Sequence, residues 1–167
     1  PDILINAAGV NTRQPADEMT DAHWDLTQNL NVAAPFFLAK AMVPGMRAKG
    51  WGRIINFASL QSRRAFANGI SYGASKGAVE QMTRAMAEAW SRDGITANAI
   101  APGFFRTELT APVFSNPELS ARNAAQTCIG RNGEVYDMDG PMMFFCSDAS
   151  NYVTGQTLFV DGGYTAK

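Results

Sequence analysis

Histidine and cysteine are nearly missing from this chain. Of its 167 residues one is histidine, His23, and two are cysteine, Cys128 and Cys146. So few soft or imidazole ligands exclude a zinc cluster and a disulfide framework, and a Ser-His-Asp triad would have to rest on His23 alone. No metal is expected, and the two thiols read as ordinary groups in a reducing compartment, so a cytoplasmic location is expected. No apolar run approaches the ~20 residues of a membrane-spanning helix and no signal peptide opens the chain, so no membrane partner is expected. Charge of either sign is scarce: 14 Lys and Arg against 15 Asp and Glu give a formal net charge of -1. The broad positive field that nucleic-acid binding needs is lacking, and no nucleic-acid partner is expected. Charged residues make up 17%, below the ~25% of typical soluble domains. Part of this surface is therefore expected to be covered by other protein.

The residues present describe one unit of alternating strands and helices. Ile3–Asn6 is a short apolar run closed by Ala7-Ala8-Gly9, which reads as a strand entering a loop. From Thr20, a plausible N-cap, to about Lys49 the apolar spacing predicts a helix bent near Pro35, with Gly50 past its end. Arg53–Ala58 is a nearly continuous apolar run, the pattern of a strand buried on both faces of a parallel sheet. Ser71–Arg92 repeats apolar residues at helical spacing and stops at Gly94. Ile95–Ala101 and Leu158–Val160 read as two further strands, ending at Pro102-Gly103 and Asp161-Gly162-Gly163. Strands separated by helices imply right-handed crossovers and a doubly wound parallel sheet. Residues 104–127 read as a mobile helical flap over the carboxyl ends of the strands. Pro141 cannot continue a helix interior, so a short or late helix is expected there, and Met142–Phe145 read as core or subunit contact.

Tyr72 and Lys76 stand four residues apart on the helix predicted at 71–92, so they share one face a turn apart. Ser59 lies where the strand before that helix reaches its carboxyl end. A Tyr-x-x-x-Lys pair alone is most often a tyrosine packed at a helix edge. Here it belongs to an ordered set: Asn6-Ala7-Ala8-Gly9, Asn31, Ser59, Tyr72, Lys76, Pro102-Gly103, Thr107, Thr154-Gly155 and Asp161-Gly162-Gly163. In that set the sequence resembles the short-chain dehydrogenase/reductase family of the classical type, along its whole length.

The resemblance implies an α/β fold, a Rossmann-like doubly wound parallel sheet. Residues 1–167 match only the later half of the family pattern, strands 4 to 7 with flanking helices, as a single partial catalytic domain. The N-terminal βαβαβα portion, with its glycine-rich turn and the residue that selects NAD or NADP, is missing from the match. With Pro1-Asp2 running straight into Ile3-Leu4-Ile5, the chain is expected to be cut from something longer, leaving that strand as an unpaired apolar edge. The family implies Asn31, Ser59, Tyr72 and Lys76 as catalytic residues and NAD or NADP as cofactor. It also implies cofactor contacts from Asn6, Ala8, Gly9, Tyr72, Lys76, Pro102, Gly103, Phe105 and Thr107, and homo-tetramers or dimers. Asn31 would anchor a water that relays protons from Lys76; the bland alternative is a helix amide bonding backbone across the bend.

The implied chemistry has a definite energetic demand. Lowering a phenol from a pKa of ~10 by about three units needs ~4 kcal/mol of preference for the phenolate. Lys76 is the cation that helix geometry offers for it. Ser59 would hold the oxygen of an alcohol or ketone substrate against Tyr72. Arg13, with Arg63-Arg64, would place cations beside the reacting carbon, and Ser59, Arg13 and Tyr72 form the expected substrate contacts. With Ala58-Ser59-Leu60 and Gly103–Thr107 these arginines resemble most the gluconate 5-dehydrogenase-like branch, whose substrates are sugar acids. A 3-oxoacyl carrier-protein reductase is the nearest competitor, and a non-catalytic scaffold fragment of the same fold is the alternative from another class.

Overall fold

The computed structural model describes residues 1–167. Four strands, β1 (Ile3–Asn6), β2 (Gly52–Phe57), β3 (Ile95–Pro102) and β4 (Thr157–Val160), form one parallel sheet in the order β1-β2-β3-β4. Helices α1 (Asp21–Gln28) and α2 (Ala34–Lys49) cross from β1 to β2, and α3 (Ile70–Trp90) crosses from β2 to β3. Short helices α4 (Ala111–Phe114), α5 (Pro117–Gln126) and α6 (Asp139–Cys146) precede β4. The central strands β2 and β3 are buried almost throughout, as their unbroken apolar runs require. Val43, Met46, Ile54, Met86, Ile95 and Ala97 pack α2 and α3 on one face of the sheet, and Ile55, Ile100 and Phe145 pack α6 on the other.

Local chemistry sets the element ends. Thr20 caps α1, its hydroxyl accepting from the His23 N–H at 3.3 Å and meeting His23 Nδ1 at 3.1 Å; the one histidine is thus part of a cap. Gly50 ends α2 at φ 64°. The Gly94 turn before β3 is steric: a Cβ there would come within 2.1 Å of the Gly50 carbonyl oxygen, at φ 79°. Pro141 sits in the first turn of α6, where its missing N–H is one that no helix satisfies, so the short helix expected there forms from Asp139.

One reading gains detail. The helix expected over 20–49 runs from Asp21 to Lys49 as α1 and α2 joined by a π-helical segment, Asn29–Ala33, and Pro35 follows that segment by two residues. Inserting one residue into the helical ladder shifts the face that Asn31 presents, a common device at functional sites. Residues 104–127 hold α4 and α5, with Val113 and Asn123 buried. At the sheet edge Ile3 and Ile5 of β1 are exposed, as are Leu26, Phe37 and Leu38 on α1 and α2 and Met143 on α6.

Candidate active site

The carboxyl ends of β1, β2 and β3 meet the amino-terminal half of α3. Strand β1 ends at buried Asn6, whose Nδ2 donates to Asn56 Oδ1 at 2.8 Å; Asn56 Nδ2 in turn donates to Thr83 Oγ1 at 2.9 Å. This buried chain of amides pins β1 to β2 and β2 to α3. It leaves Ala7, Ala8 and Gly9 exposed beyond the strand. Gly9 closes on the site: a Cβ there would stand 3.3 Å from Asn31 Oδ1 and 3.6 Å from Lys76 Nζ.

Asn31 is fully buried and holds the next residue by both backbone groups. Its Oδ1 accepts from Val10 N–H at 2.9 Å, and its Nδ2 donates to Val10 O at 2.9 Å and to Ser75 Oγ at 3.0 Å. Ser75 Oγ donates to Tyr72 O at 2.7 Å. Both amide hydrogens of Asn31 are therefore spent on the protein. The Asn31 side chain bonds the β1 loop and α3 rather than backbone across a helix bend. Asn31→Ala is expected to cost about 2–3 kcal/mol through the orphaned buried groups and to speed amide exchange at Val10. Unfolding curves and exchange rates for the full-length protein that match the wild type would contradict this.

Ser59 follows β2 in extended backbone and caps the 3-10 turn Leu60–Ser62, with Ser62 Oγ accepting from Ser59 N–H at 3.3 Å and donating to Lys76 O at 2.8 Å. Tyr72 and Lys76 are both buried and share the face that their spacing predicts, with Lys76 Nζ 5.6 Å from the centre of the Tyr72 ring. Burial pushes the Tyr72 phenol above its usual range, while the Ser59 hydroxyl beside it and the charge of Arg13 pull the other way. Burial brings Lys76 down to about 8. Its ammonium donates to Phe57 O at 2.6 Å. Arg13, from the loop after β1, is thus a second cation acting on Tyr72 beside Lys76 on its own helix face.

The other expected residues divide. Arg13 adopts φ 47°, uncommon for a side chain of its size. On either side of it Asn11 Oδ1, Thr12 Oγ1 and Gln14 Oε1 are buried without hydrogen-bond partners, an arrangement that buried polar atoms rarely keep. Arg63 turns away from the site: its guanidinium pairs with Glu80 at 2.6 Å and covers the Phe159 ring at 4.7 Å. Pro102 ends β3, and a Cβ on Gly103 would meet Asp161 Cα at 2.8 Å, so this turn packs against the end of β4. Phe105 is buried beside Gly133, and its carbonyl accepts from Thr110 Oγ1. Thr107 Oγ1 is paired with Thr110 Oγ1 at 3.1 Å.

Sequence reasoning missed Ser75, Asn56 and Ser62, which fix Asn31, Asn6 and the Ser59 turn. For Ser75 a signal existed, since positions 72, 75 and 76 share one helix face.

A family model described as enoyl-(acyl carrier protein) reductase matches residues 1–165. The chain belongs to the short-chain dehydrogenase/reductase family. It is 41% identical over 164 residues to a gluconate 5-dehydrogenase of Gluconobacter oxydans, covering 98% of this chain and 64% of that protein. It is also 41% identical over 167 residues to a galactitol 2-dehydrogenase (L-tagatose-forming) of Cereibacter sphaeroides, covering 98% and 65%. The crystal structure of a gluconate 5-dehydrogenase from Burkholderia cenocepacia in complex with NADP and tartrate matches with a TM-score of 0.96 at 41% identity, covering 99% of this chain and 65% of that one. This member of the short-chain dehydrogenase/reductase family thus spans just under two thirds of the length of these relatives, and its parallel sheet is the later part of a Rossmann-like one.

Proposed function

We propose that the full-length protein is an NAD- or NADP-dependent oxidoreductase that interconverts a secondary alcohol and a ketone, with a sugar acid as substrate. The observation that carries this reading is the meeting of Ser59, Tyr72 and Lys76 at the carboxyl end of β2, with Ser59 beside the phenol and the ammonium 5.6 Å from its ring. The named relatives support it, one acting on a sugar acid and one on a neutral polyol.

The residues fit a nicotinamide dinucleotide. Lys76 spends one donor on Phe57 O and keeps two, a set suited to ribose hydroxyls. Asn6, Ala8 and Gly9 form a turn in which a Cβ at Gly9 would crowd Asn31 and Lys76, so small residues there leave room for the cofactor. Pro102, Gly103, Phe105 and Thr107 would border its nicotinamide end. Such a cofactor, when bound, supplies or accepts the hydride.

The chain's own groups handle the oxygen and the proton. Ser59 donates to the substrate oxygen and holds it at the Tyr72 hydroxyl. Tyr72 takes the alcohol proton in oxidation and returns it in reduction. Lys76, buried and cationic below pH about 8, favours the phenolate once charge develops. Asn31 serves the proton path through its backbone in the π-helical segment, its amide hydrogens being spent. Arg13 contacts the substrate next to the reacting carbon and lowers the Tyr72 pKa. The subunit assembles as a homo-tetramer or dimer through the helices at 20–49 and 71–92 and the last strand region, where Leu26, Phe37, Leu38 and Leu158 are exposed.

The test is a spectrophotometric assay of the full-length protein with NAD+ and NADP+ over matched sugar acids and alditols. Turnover of the acids supports the reading; oxidation of none of these compounds with either cofactor rejects it. Arg13→Ala should also move the limb of kcat/KM for alcohol oxidation to higher pH, because it removes a cation that favours the phenolate. A pH profile that stays in place would deny Arg13 that role.

A further inference from the structure

Glu80 is the one carboxylate buried within α3, and no step of the proposed reaction uses it. Its Oε1 accepts from Arg63 Nε at 3.2 Å, from Arg63 Nη2 at 2.6 Å and from Arg84 Nη2 at 2.6 Å. A carboxylate taken out of water needs such partners. Arg84, one turn further along the same helix, supplies a local one. Arg63 comes instead from the turn that carries Ser59, so its pairing with Glu80 joins two elements.

The place of Glu80 along α3 gives that pairing its meaning. Tyr72, Lys76 and Glu80 are spaced by four, so they form one stripe over successive turns. Each meets the serine turn. The Tyr72 phenol lies beside the Ser59 hydroxyl, the Lys76 carbonyl accepts from Ser62 Oγ at 2.8 Å, and the Glu80 carboxylate holds Arg63. Bonds inside the turn, from Ser62 N–H to Ser59 O at 3.0 Å and from Gln61 N–H to Ser59 Oγ at 3.2 Å, keep its shape but not its place against α3. That place depends on the two outer links. The Ser62 link is a single neutral bond, whereas the Arg63 link is charge-assisted on two nitrogens, the stronger kind. Arg63 is also held from the sheet side: its guanidinium lies 4.7 Å from the Phe159 ring, which packs on the cluster of Ala58, Val79, Ala99 and Ala101.

Resting on the oxidoreductase reading above, we propose that Glu80 is a positioning residue: through Arg63 it holds the serine turn against α3 and keeps the Ser59 hydroxyl at the Tyr72 oxygen. It touches neither substrate nor cofactor. A serine that drifts from the phenol loosens its grip on the substrate oxygen and gives up a bond that favours ionisation of Tyr72. The direct effect of the Glu80 charge runs the other way. As an anion eight residues and about 12 Å along the helix from Tyr72, it opposes the phenolate, so removing its charge alone would make Tyr72 easier to ionise. The two effects therefore differ in sign.

The experiment records kcat/KM for alcohol oxidation against pH in the full-length protein and its Glu80→Met and Arg63→Lys variants. Glu80→Met keeps the side-chain length and removes the acceptor; Arg63→Lys keeps the charge and replaces the guanidinium fork with a point contact. Arg13 and Lys76, the charged groups that face Tyr72 from the β1 loop and from α3, are retained in both. In Glu80→Met, kcat/KM at neutral pH is expected to fall about tenfold, the worth of one lost hydrogen bond to a charged group. Its limb is expected to move up by about half a pH unit, and Arg63→Lys to change both in the same direction by less. A limb that stays in place or moves down in Glu80→Met overturns the positioning role. Should that variant not fold, the limb of Arg63→Lys, altered at a half-exposed side chain, decides in the same way. If the wild type oxidises no compound offered, the oxidoreductase reading fails, and crystal structures of the full-length wild type and variants decide the positioning by themselves. A Ser59 Oγ to Tyr72 Oη distance that opens beyond ~3.5 Å in the variants supports it, and an unchanged distance overturns it.

Discussion

Tyr72→Phe in the full-length protein is expected to lower kcat by about 10²–10⁴-fold, the range that a positioned general acid or base contributes. Removing one oxygen leaves the ring in its packed place over α3, so folding and cofactor binding should persist while proton transfer is lost. The electrostatics add a direction. Burial raises the Tyr72 pKa, and Ser59 and Arg13 oppose it only in part. In the ligand-free protein the phenol is thus the protonated acid at neutral pH. Oxidation, which needs the phenolate, should therefore accelerate as pH rises, whereas reduction should be served at neutral pH. Stopped-flow and steady-state rates of Tyr72→Phe within twofold of wild type, in both directions, would remove the proton-transfer role.

Lys76→Met carries the second large effect, and it separates activity from stability. Losing the ammonium removes a cationic neighbour of the phenol and a donor to the proposed cofactor, so a kcat/KM loss of at least about 10²-fold is expected. Stability should respond differently. Burial lowers the lysine from 10.5 to about 8, which at ~1.4 kcal/mol per pH unit corresponds to about 3 kcal/mol. The sign follows from proton counting. Below pH 8 both folded and unfolded chains hold the proton and the full penalty stands. Between about 8 and 10.5 the unfolded chain holds it and the folded one does not, so stability rises with pH. The methionine variant lacks this dependence. The stability difference between the two proteins should therefore move by about 3 kcal/mol in favour of wild type from pH 7 to pH 10.5. Denaturant titrations of the ligand-free proteins at the two pH values measure it, and parallel pH curves would show that Lys76 is not held in a desolvated site.

Much of the fold was legible because its signals are local. The apolar runs of β2 and β3, the caps at Thr20 and Gly50 and the helical repeat of α3 each lie within a few residues of the structure that they specify. Ser59, Tyr72 and Lys76 could be found for the same reason: two share a helix face and the third ends a strand. The π-helical segment at Asn29–Ala33 was not legible. Apolar spacing over 20–49 fits a regular helix, and it is the tertiary bonds of Asn31 to Val10 and Ser75 that accompany the altered register.

The charges show the same division. Arg63 and Arg64 are neighbours in sequence and indistinguishable by composition, yet one is held by Glu80 and Phe159 and the other reaches the Lys167 carbonyl and the Tyr164 ring. Sequence alone determined the order of strands and helices, the membership of a family and the residues at the strand ends, because periodicity and motif spacing are properties of the chain. Which partners Arg63 and Arg64 meet, that Arg13 acts on Tyr72 across the chain, and how deeply Lys76 is desolvated were decided by the folded structure. Electrostatic effects depend on distance through space and on exclusion of water, and neither is set by separation along the chain.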